Sequence, residues 1–364
     1  MQFTITARNE WRIQSIFSRS SLKRINRDRF QARNLHQVPI LDATEFRGDS
    51  RDRFAKKVLE AFQTSGFLYL RNAPLSADGQ NRAITATRHF FDSTEQSKRI
   101  LHTTKDNPRG YYSYHGVAEG ESPGGAEIEA FLMGNEIPAI QLRRKYFEDM
   151  GMEEKYWKPM TLQQKNVWPR EDLTFREIMT STFTTCTETS RLILSAIAIA
   201  TGRDEEAILG VHSQADSTME IKHYPPGGSR KTIREEYQSN ISMTSNGSSS
   251  DIPLRVKAHS DLSSVTLLLQ NEITGFEILR GDSTWVPLER VEGAVLVNTG
   301  DCMERWSGGK IRSTKHRVVA NSDNEKKSRY SLVYFCMPNW DTSVNQWDHS
   351  MDNPDKFGDI VPFH

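Results

Sequence analysis

The feature that most constrains this chain is a change in the period of its apolar residues near position 210. Before it, Phe175, Ile178, Met179, Phe183, Cys186, Leu194 and Ile197 recur every three or four residues. That spacing predicts one long helix over 172–201, and Gly202 stands where a C-terminal cap belongs. After it, apolar residues come in short runs bounded by turn residues, at 217–224, 264–270, 276–279, 294–298, 316–320 and 329–335. Such runs predict strands of a sandwich or barrel. Upstream, 38–42 and 67–70 read as strands, and 51–64, 76–92 and 94–102 as helices. The Gly- and aromatic-rich stretch 107–136 reads as an irregular or hairpin region. Helices first and strands later is an α+β arrangement. It divides the chain into an N-terminal extension, 1–36, a helical and mixed region, 37–210, and a β core, 211–364. The last two are expected to form one catalytic unit.

Charge narrows the partners. Lys and Arg number 47, as do Asp and Glu. A chain with no basic excess is not expected to bind nucleic acid. No apolar run approaches the roughly 18 residues that cross a bilayer, so no membrane partner is expected. Neutral charge and an aromatic-rich half favour a small-molecule partner over a protein or nucleic acid. The imbalance is local: residues 1–36 carry eight basic and two acidic side chains, a net +6. An Arg- and Ser-bearing start resembles a mitochondrial presequence, but Glu10 and Asp28 favour a solvated helix on the body of a cytoplasmic protein. Three scattered cysteines (Cys186, Cys302, Cys336) suit a reducing compartment. Residues 239–251 include six serines in thirteen positions. So polar a segment cannot offset its ordering entropy, and 229–252 is expected to be a mobile loop.

Three short patterns carry chemistry. In His259-Ser-Asp261, an extended backbone turns both side chains to one side. His316 follows 55 residues after Asp261, enough chain for several strands and a return to the same barrel end. Two imidazoles and one carboxylate on one face form the ligand set of non-haem Fe(II) oxygenases, which leaves positions open for co-substrate and O2. In Arg329-Tyr-Ser331, the period of two turns Arg329 and Ser331 the same way in an otherwise apolar strand. A guanidinium buried there requires an anion, either one of the chain's own acids or a ligand carboxylate, whose geometry its fork matches.

Over roughly residues 37–350 the sequence resembles the 2-oxoglutarate/Fe(II) dioxygenases of the isopenicillin N synthase-like superfamily. His259, Asp261 and His316 match the family's metal ligands. Arg329 and Ser331 match the pair that holds the distal carboxylate of 2-oxoglutarate. Lys222-His-Tyr224-Pro-Pro is similar to the strand end whose tyrosine reaches that carboxylate. Gly66-Phe-Leu-Tyr, Arg109-Gly-Tyr-Tyr, Glu129-Ala-Phe131, Asn166-Val-Trp-Pro and Val297-Asn-Thr-Gly-Asp301 fall in the family's order. The chain departs from it at Lys222, where asparagine is frequent, and in a longer loop before His259.

The resemblance implies a double-stranded β-helix, or jelly roll, with an N-terminal helical flank. It implies Fe(II), with 2-oxoglutarate and O2 as co-substrates and ascorbate as an accessory reductant. The reaction would be hydroxylation, desaturation or cyclisation of a small molecule of specialised metabolism, releasing succinate and CO2. By the same analogy, Tyr111, Tyr114, His115 and Phe131 are expected near the substrate, and Met303, Arg305 and Trp306 as further lining. Two other readings stay open: an oxidase of this fold that takes no 2-oxoglutarate, and a metal-free binding protein on the same scaffold.

Overall fold

The structure, a computed structural model, describes residues 38–104, 107–115, 127–135, 151, 165–213, 217–226, 254–320, 326–339, 342–345 and 347. Two units are distinguished, Met1–Val38 and Pro39–His364, and the architecture below is that of the second. The expectations for 1–36 and for the loop 229–252 fall outside the described residues. The elements run β1 (Ile40–Asp42), α1 (Arg51–Thr64), β2 (Phe67–Arg71), α2 (Ala77–Phe91), α3 (Glu95–Arg99), β3 (Gly110–His115), β4 (Glu127–Gly134), α4 (Leu173–Thr201) and α5 (Glu205–Gly210). They continue β5 (Thr218–Tyr224), β6 (Leu254–His259), β7 (Val265–Gln270), β8 (Phe276–Leu279), β9 (Trp285–Pro287), β10 (Ala294–Thr299), α6 (Asp301–Trp306), β11 (His316–Val319) and β12 (Arg329–Cys336).

Local chemistry sets the ends of the longest helix as expected. The Asp172 carboxylate accepts from the Phe175 N–H at 2.9 Å, and Gly202 closes α4 in the left-handed region at φ +66°. Eight strands form one sheet in the order β1-β2-β10-β7-β12-β5-β4-β3, and four form a second, β6-β11-β8-β9. Only the β1–β2 pairing is parallel among the described strands. The sheets close on each other as a jelly roll. Phe67 of β2 meets Phe276 of β8 and His316 of β11, edge to face at centroid separations of 6.1 and 5.9 Å. The 107–136 stretch contributes the β3–β4 hairpin, which extends the larger sheet beyond β5. Strand β6 and helices α5 and α6 are additions to the elements expected from the sequence.

Alternation along the strands gives the larger sheet two unlike faces. Across β12–β7, Ser331 pairs with Gln270, and across β12–β5, Arg329 pairs with Tyr224 and Ser331 with Lys222. These polar residues share the face that meets the smaller sheet. Leu332, Tyr334, Ile221 and Leu269 point the other way, into a core made with α1, α2 and α4. There Tyr334 packs edge to face on Phe183 of α4 and hydrogen-bonds Thr187 at 2.9 Å. Phe90 of α2 stacks on Phe175 of α4 at 4.6 Å. Each aromatic ring buried this way contributes about 1.5–3 kcal/mol.

This two-faced construction corrects two expected substrate-pocket residues. Phe131 is fully buried on the helix side, against Phe90, Trp168 and Phe175. Tyr111 lies beside Phe90 on that same side, and its hydroxyl donates to Glu129 at 2.9 Å. Aromatic content marked the hairpin correctly, but register with β5 decides which face each ring takes. Phe131 and Tyr111 are core residues.

The same face holds a buried polar network. Glu129 receives hydrogen bonds from Lys98 and Tyr111 and pairs with His223 Nδ1 at 2.6 Å, while His223 Nε2 meets Ser328 Oγ at 2.9 Å. The network ties α3, β3, β4 and β5 to the residue preceding Arg329. Burial alone would raise the Glu129 pKa, but the hydrogen bonds from His223, Lys98 and Tyr111 outweigh it and hold the carboxyl at about 2, below its ordinary 4.5. A depressed folded-state pKa stabilises the fold above the unfolded value, and this stability is lost as pH falls through the folded value. We therefore expect Glu129→Gln to reduce unfolding free energy near neutral pH by on the order of 2 kcal/mol. The gap from wild type should close between pH 4.5 and 2. Urea titrations across that range would test it, and a gap independent of pH would contradict it.

Candidate active site

The site begins where β6 ends. His259 is the last residue of β6 and pairs directly with His316, the first residue of β11. Their rings approach to 4.3 Å between centroids. Asp261 lies in the turn after β6 rather than in the strand itself. Its Oδ1 lies 3.5 Å from His316 Nε2 and 3.9 Å from His259 Nε2. The three ligand atoms all fall within 4.8 Å of one another.

The other ring nitrogens face backbone oxygens. His259 Nδ1 is 2.8 Å from the Lys257 carbonyl and His316 Nδ1 is 3.2 Å from that of Thr314. Donation from Nδ1 fixes the tautomer that leaves the Nε2 lone pairs turned to the carboxylate, the arrangement a divalent cation requires. Burial lowers the His259 pKa, and the neighbouring His316 lowers it further, which favours a neutral ligand. For Asp261, burial pushes upward, but the adjoining His316 ring and hydrogen bonds from Asn298 and Thr266 prevail and hold the carboxyl well below the usual carboxylate range. Two imidazoles and one carboxylate gathered at one point fit Fe(II).

Two residues that sequence reasoning passed over hold Asp261 in place. Asn298 Nδ2 donates to Asp261 Oδ2 at 2.8 Å, so the second carboxylate oxygen is engaged while the first faces the histidines. Gly300 brings the end of β10 against the Asp261 turn. A Cβ there would lie 2.6 Å from the Asp261 carbonyl and 2.2 Å from that of Ser263. The available signal was an amide at an inward position near the end of the largely apolar Ala294–Thr299 strand.

Farther along the same interior lies Arg329, 1 % exposed. Its Nη2 donates to Gln270 Oε1 at 2.8 Å, and its Nη1 lies 3.4 Å from Ser331 Oγ. Tyr224 stacks beneath it, 4.8 Å from ring centroid to guanidinium carbon. Its Nε is buried with no hydrogen-bond partner. Burial lowers this guanidinium from its ordinary value, partly offset by Tyr224. The structure thus brings Arg329, Ser331 and Tyr224 together as the sequence implied, and adds Gln270.

The expected lining from α6 is not brought to the site. Met303 is fully buried in the helix-side core. Arg305 Nε donates to the Val344 carbonyl at 2.7 Å, and Trp306 Nε1 to that of Ser343 at 3.1 Å, with its ring stacked on Trp347. Arg305 and Trp306 anchor the segment after β12, and Met303 packs in the core, as the short helix α6 carries all three. Tyr114 and His115 end β3, paired with Ile128 and Glu127, and their side chains fall outside the described residues.

Comparison with known proteins agrees with this geometry. Residues 215–338 match the 2OG-Fe(II) oxygenase superfamily model, and residues 38–171 match the N-terminal model of the non-haem dioxygenases in morphine synthesis. The chain belongs to the 2OG-Fe(II) oxygenase superfamily. Its relatives in the superfamily include the 2-oxoglutarate-Fe(II) type oxidoreductase ppzD of Metarhizium majus, 29 % identical over 322 residues that span 83 % of this chain and 84 % of the relative. The crystal structure of a full-length Neurospora crassa protein in complex with alpha-KG and thymine superposes with a TM-score of 0.65 at 26 % identity, covering 84 % of this chain and 87 % of that one. A putative 2OG-Fe(II) oxygenase family protein from Caulobacter crescentus shares the fold, with a TM-score of 0.69 at 22 % identity and coverage of 89 % and 95 %. The protein is a 2-oxoglutarate-dependent dioxygenase. Its metal is Fe(II), and 2-oxoglutarate and O2 are its co-substrates.

Asn298→Ala should weaken metal binding about 10- to 100-fold, the usual cost of losing a group that orients a ligand. The measurement is anaerobic Fe(II) titration with the fold confirmed by circular dichroism. Wild-type affinity in that variant would show that Asn298 does not position Asp261.

Proposed function

We propose that His259, Asp261 and His316 hold the iron, and that Arg329, Ser331 and Tyr224 hold the distal carboxylate of 2-oxoglutarate. We further propose that 37–210 and 211–364 act as one catalytic unit that hydroxylates, desaturates or cyclises a small molecule of specialised metabolism. The observation that carries the co-substrate assignment is the buried Arg329. A guanidinium costs several kcal/mol to bury without an anion, and no carboxylate among the described residues pairs with it. A dicarboxylate whose other end reaches the metal supplies that anion.

When bound, the iron couples reduction of O2 and decarboxylation of 2-oxoglutarate to removal of a hydrogen from the substrate. The protein's residues orient and exclude. Asp261 contributes one negative charge to the metal, and the two imidazoles none, so one charge is left for the 2-oxo acid to balance. Arg329 and Ser331 would fix the far end of that acid and so orient the whole molecule in the site.

For the substrate, Lys222, Glu220 and Tyr112 share the interior face of the sheet. Lys222 Nζ lies 2.7 Å from Glu220 Oε2, and the Tyr112 hydroxyl bonds the same carboxylate. This polar row favours a substrate with hydrogen-bonding groups. The solved Neurospora crassa relative, in complex with thymine, gives a precedent for such a ligand in this fold. No helix among the described residues is long and apolar enough to cross a membrane. The three cysteines are buried free thiols, which supports a cytoplasmic setting.

Arg329→Leu removes the charged partner of a ligand carboxylate, a loss of about 2–5 kcal/mol, or roughly 30-fold to several thousand-fold in co-substrate affinity. Arg329→Lys keeps the charge without the planar fork. Ser331→Ala loses one hydrogen bond to a charged group, on the order of 1.5–3 kcal/mol. The expected order of affinity is wild type, Ser331→Ala, Arg329→Lys, Arg329→Leu. It is read from succinate formation against 2-oxoglutarate concentration, with iron content confirmed. Wild-type affinity in Arg329→Leu would remove the assignment.

A further inference from the structure

A second guanidinium is sealed into the same interior. Arg255 sits on β6 four residues before His259, across an irregularity in the β6–β11 pairing. It is 5 % exposed. Its Nη2 donates to the Pro225 carbonyl at 2.8 Å, just past the end of β5, and its Nη1 is buried with no hydrogen-bond partner. No carboxylate among the described residues pairs with it. The charged and titratable groups it feels are Arg329, which repels it, and Tyr224, which attracts it. Tyr224 is also the ring beneath Arg329. Two cations carried by opposite sheets thus lie about the same end of β5, Arg329 on the Tyr224 ring and Arg255 on the Pro225 carbonyl, each with an orphaned donor and no carboxylate partner among the described residues. A structural arginine would be expected to use its donors on protein acceptors or an acid; this one leaves Nη1 idle beside a like charge.

We propose that Arg255 is a second binding residue for the distal carboxylate of 2-oxoglutarate, so that the pocket selects a dianionic 2-oxo acid with two guanidiniums from opposite sheets. The inference rests on the assignment of that carboxylate to Arg329. It carries two consequences that a purely structural arginine would not. Arg255 should discriminate between 2-oxo acids that have and lack a distal carboxylate. The co-substrate-free protein should also be relieved, not harmed, when one of the two repelling charges is removed.

The test is calorimetric binding to the anaerobic Fe(II)-loaded protein, using 2-oxoglutarate and 2-oxopentanoate, the same chain without the distal carboxylate. Arg255→Met should weaken 2-oxoglutarate about 10- to 100-fold, the loss typical of a hydrogen bond to a charged group, and leave 2-oxopentanoate unchanged. Arg255→Lys should fall between. Without co-substrate, the melting temperature of Arg255→Met should equal or exceed that of wild type, while the rise produced by 2-oxoglutarate shrinks. If Arg255→Met does not fold, the ratio of the two affinities in Arg255→Lys decides, and a wild-type ratio there overturns the proposal. Equal weakening of both ligands, or wild-type 2-oxoglutarate affinity, in Arg255→Met also overturns it. Arg329→Leu serves as the control: if it loses 2-oxoglutarate selectively while Arg255→Met does not, only the Arg255 inference fails. If Arg329→Leu also keeps wild-type affinity, the parent assignment falls with it.

Discussion

Positive charge enclosed between two β-sheets is costly in isolation, and much of this architecture is arranged around making it tolerable. Arg329 is held from three sides by Gln270, Ser331 and Tyr224, which fix its plane but do not cancel its charge. At the opposite end of the cavity the arrangement is inverted. Asp261 is a buried anion whose Oδ2 is occupied by Asn298 and whose Oδ1 faces two imidazoles. A cation is wanted at one end and an anion at the other. A metal and a dicarboxylate satisfy both, and binding of each removes part of the electrostatic cost borne by the empty fold.

The larger sheet makes this possible by separating its faces. Inward positions carry the polar set, from Asn298 through Gln270 and Ser331 to Tyr224. Outward positions carry the apolar residues that α1, α2 and α4 cover. A one-residue slip of β12 against β5 or β7 would exchange Arg329 and Ser331 for Tyr330 and Leu332 and empty the site. The Glu129 network opposes such a slip from behind, because His223 bonds Ser328 immediately before Arg329. The polar core on the helix side therefore serves the site without touching it.

Much of this was legible in the residues. Helix α4 was readable because a long apolar repeat is closed by the Gly202 cap. The strands of the core were readable because each is a short apolar run between turns. His259, Asp261 and His316 were readable because few chemistries use that trio, although only the β6–β11 pairing shows how 55 intervening residues return His316 opposite His259. The substrate side was less legible, for a physical reason. Tyr111 and Tyr112 are adjacent, and composition cannot say which ring faces the cavity. That depends on hairpin register, which puts Tyr112 beside Glu220 and Tyr111 beside Glu129. Asn298, Gln270 and Arg255 were missed because nothing in their own strands marks them, and the importance of each lies in the neighbour it meets only in the folded barrel.

The central claim is that the metal and the buried guanidinium grip opposite ends of one 2-oxo acid. The most direct measurement is an anaerobic titration of the Fe(II)-loaded protein with 2-oxoglutarate, followed by the visible charge-transfer absorption that arises when a 2-oxo acid chelates ferrous iron. The account predicts a band that saturates at one equivalent of 2-oxoglutarate per iron and is absent from Asp261→Ala. Iron bound at one equivalent with no such band at saturating 2-oxoglutarate would contradict it.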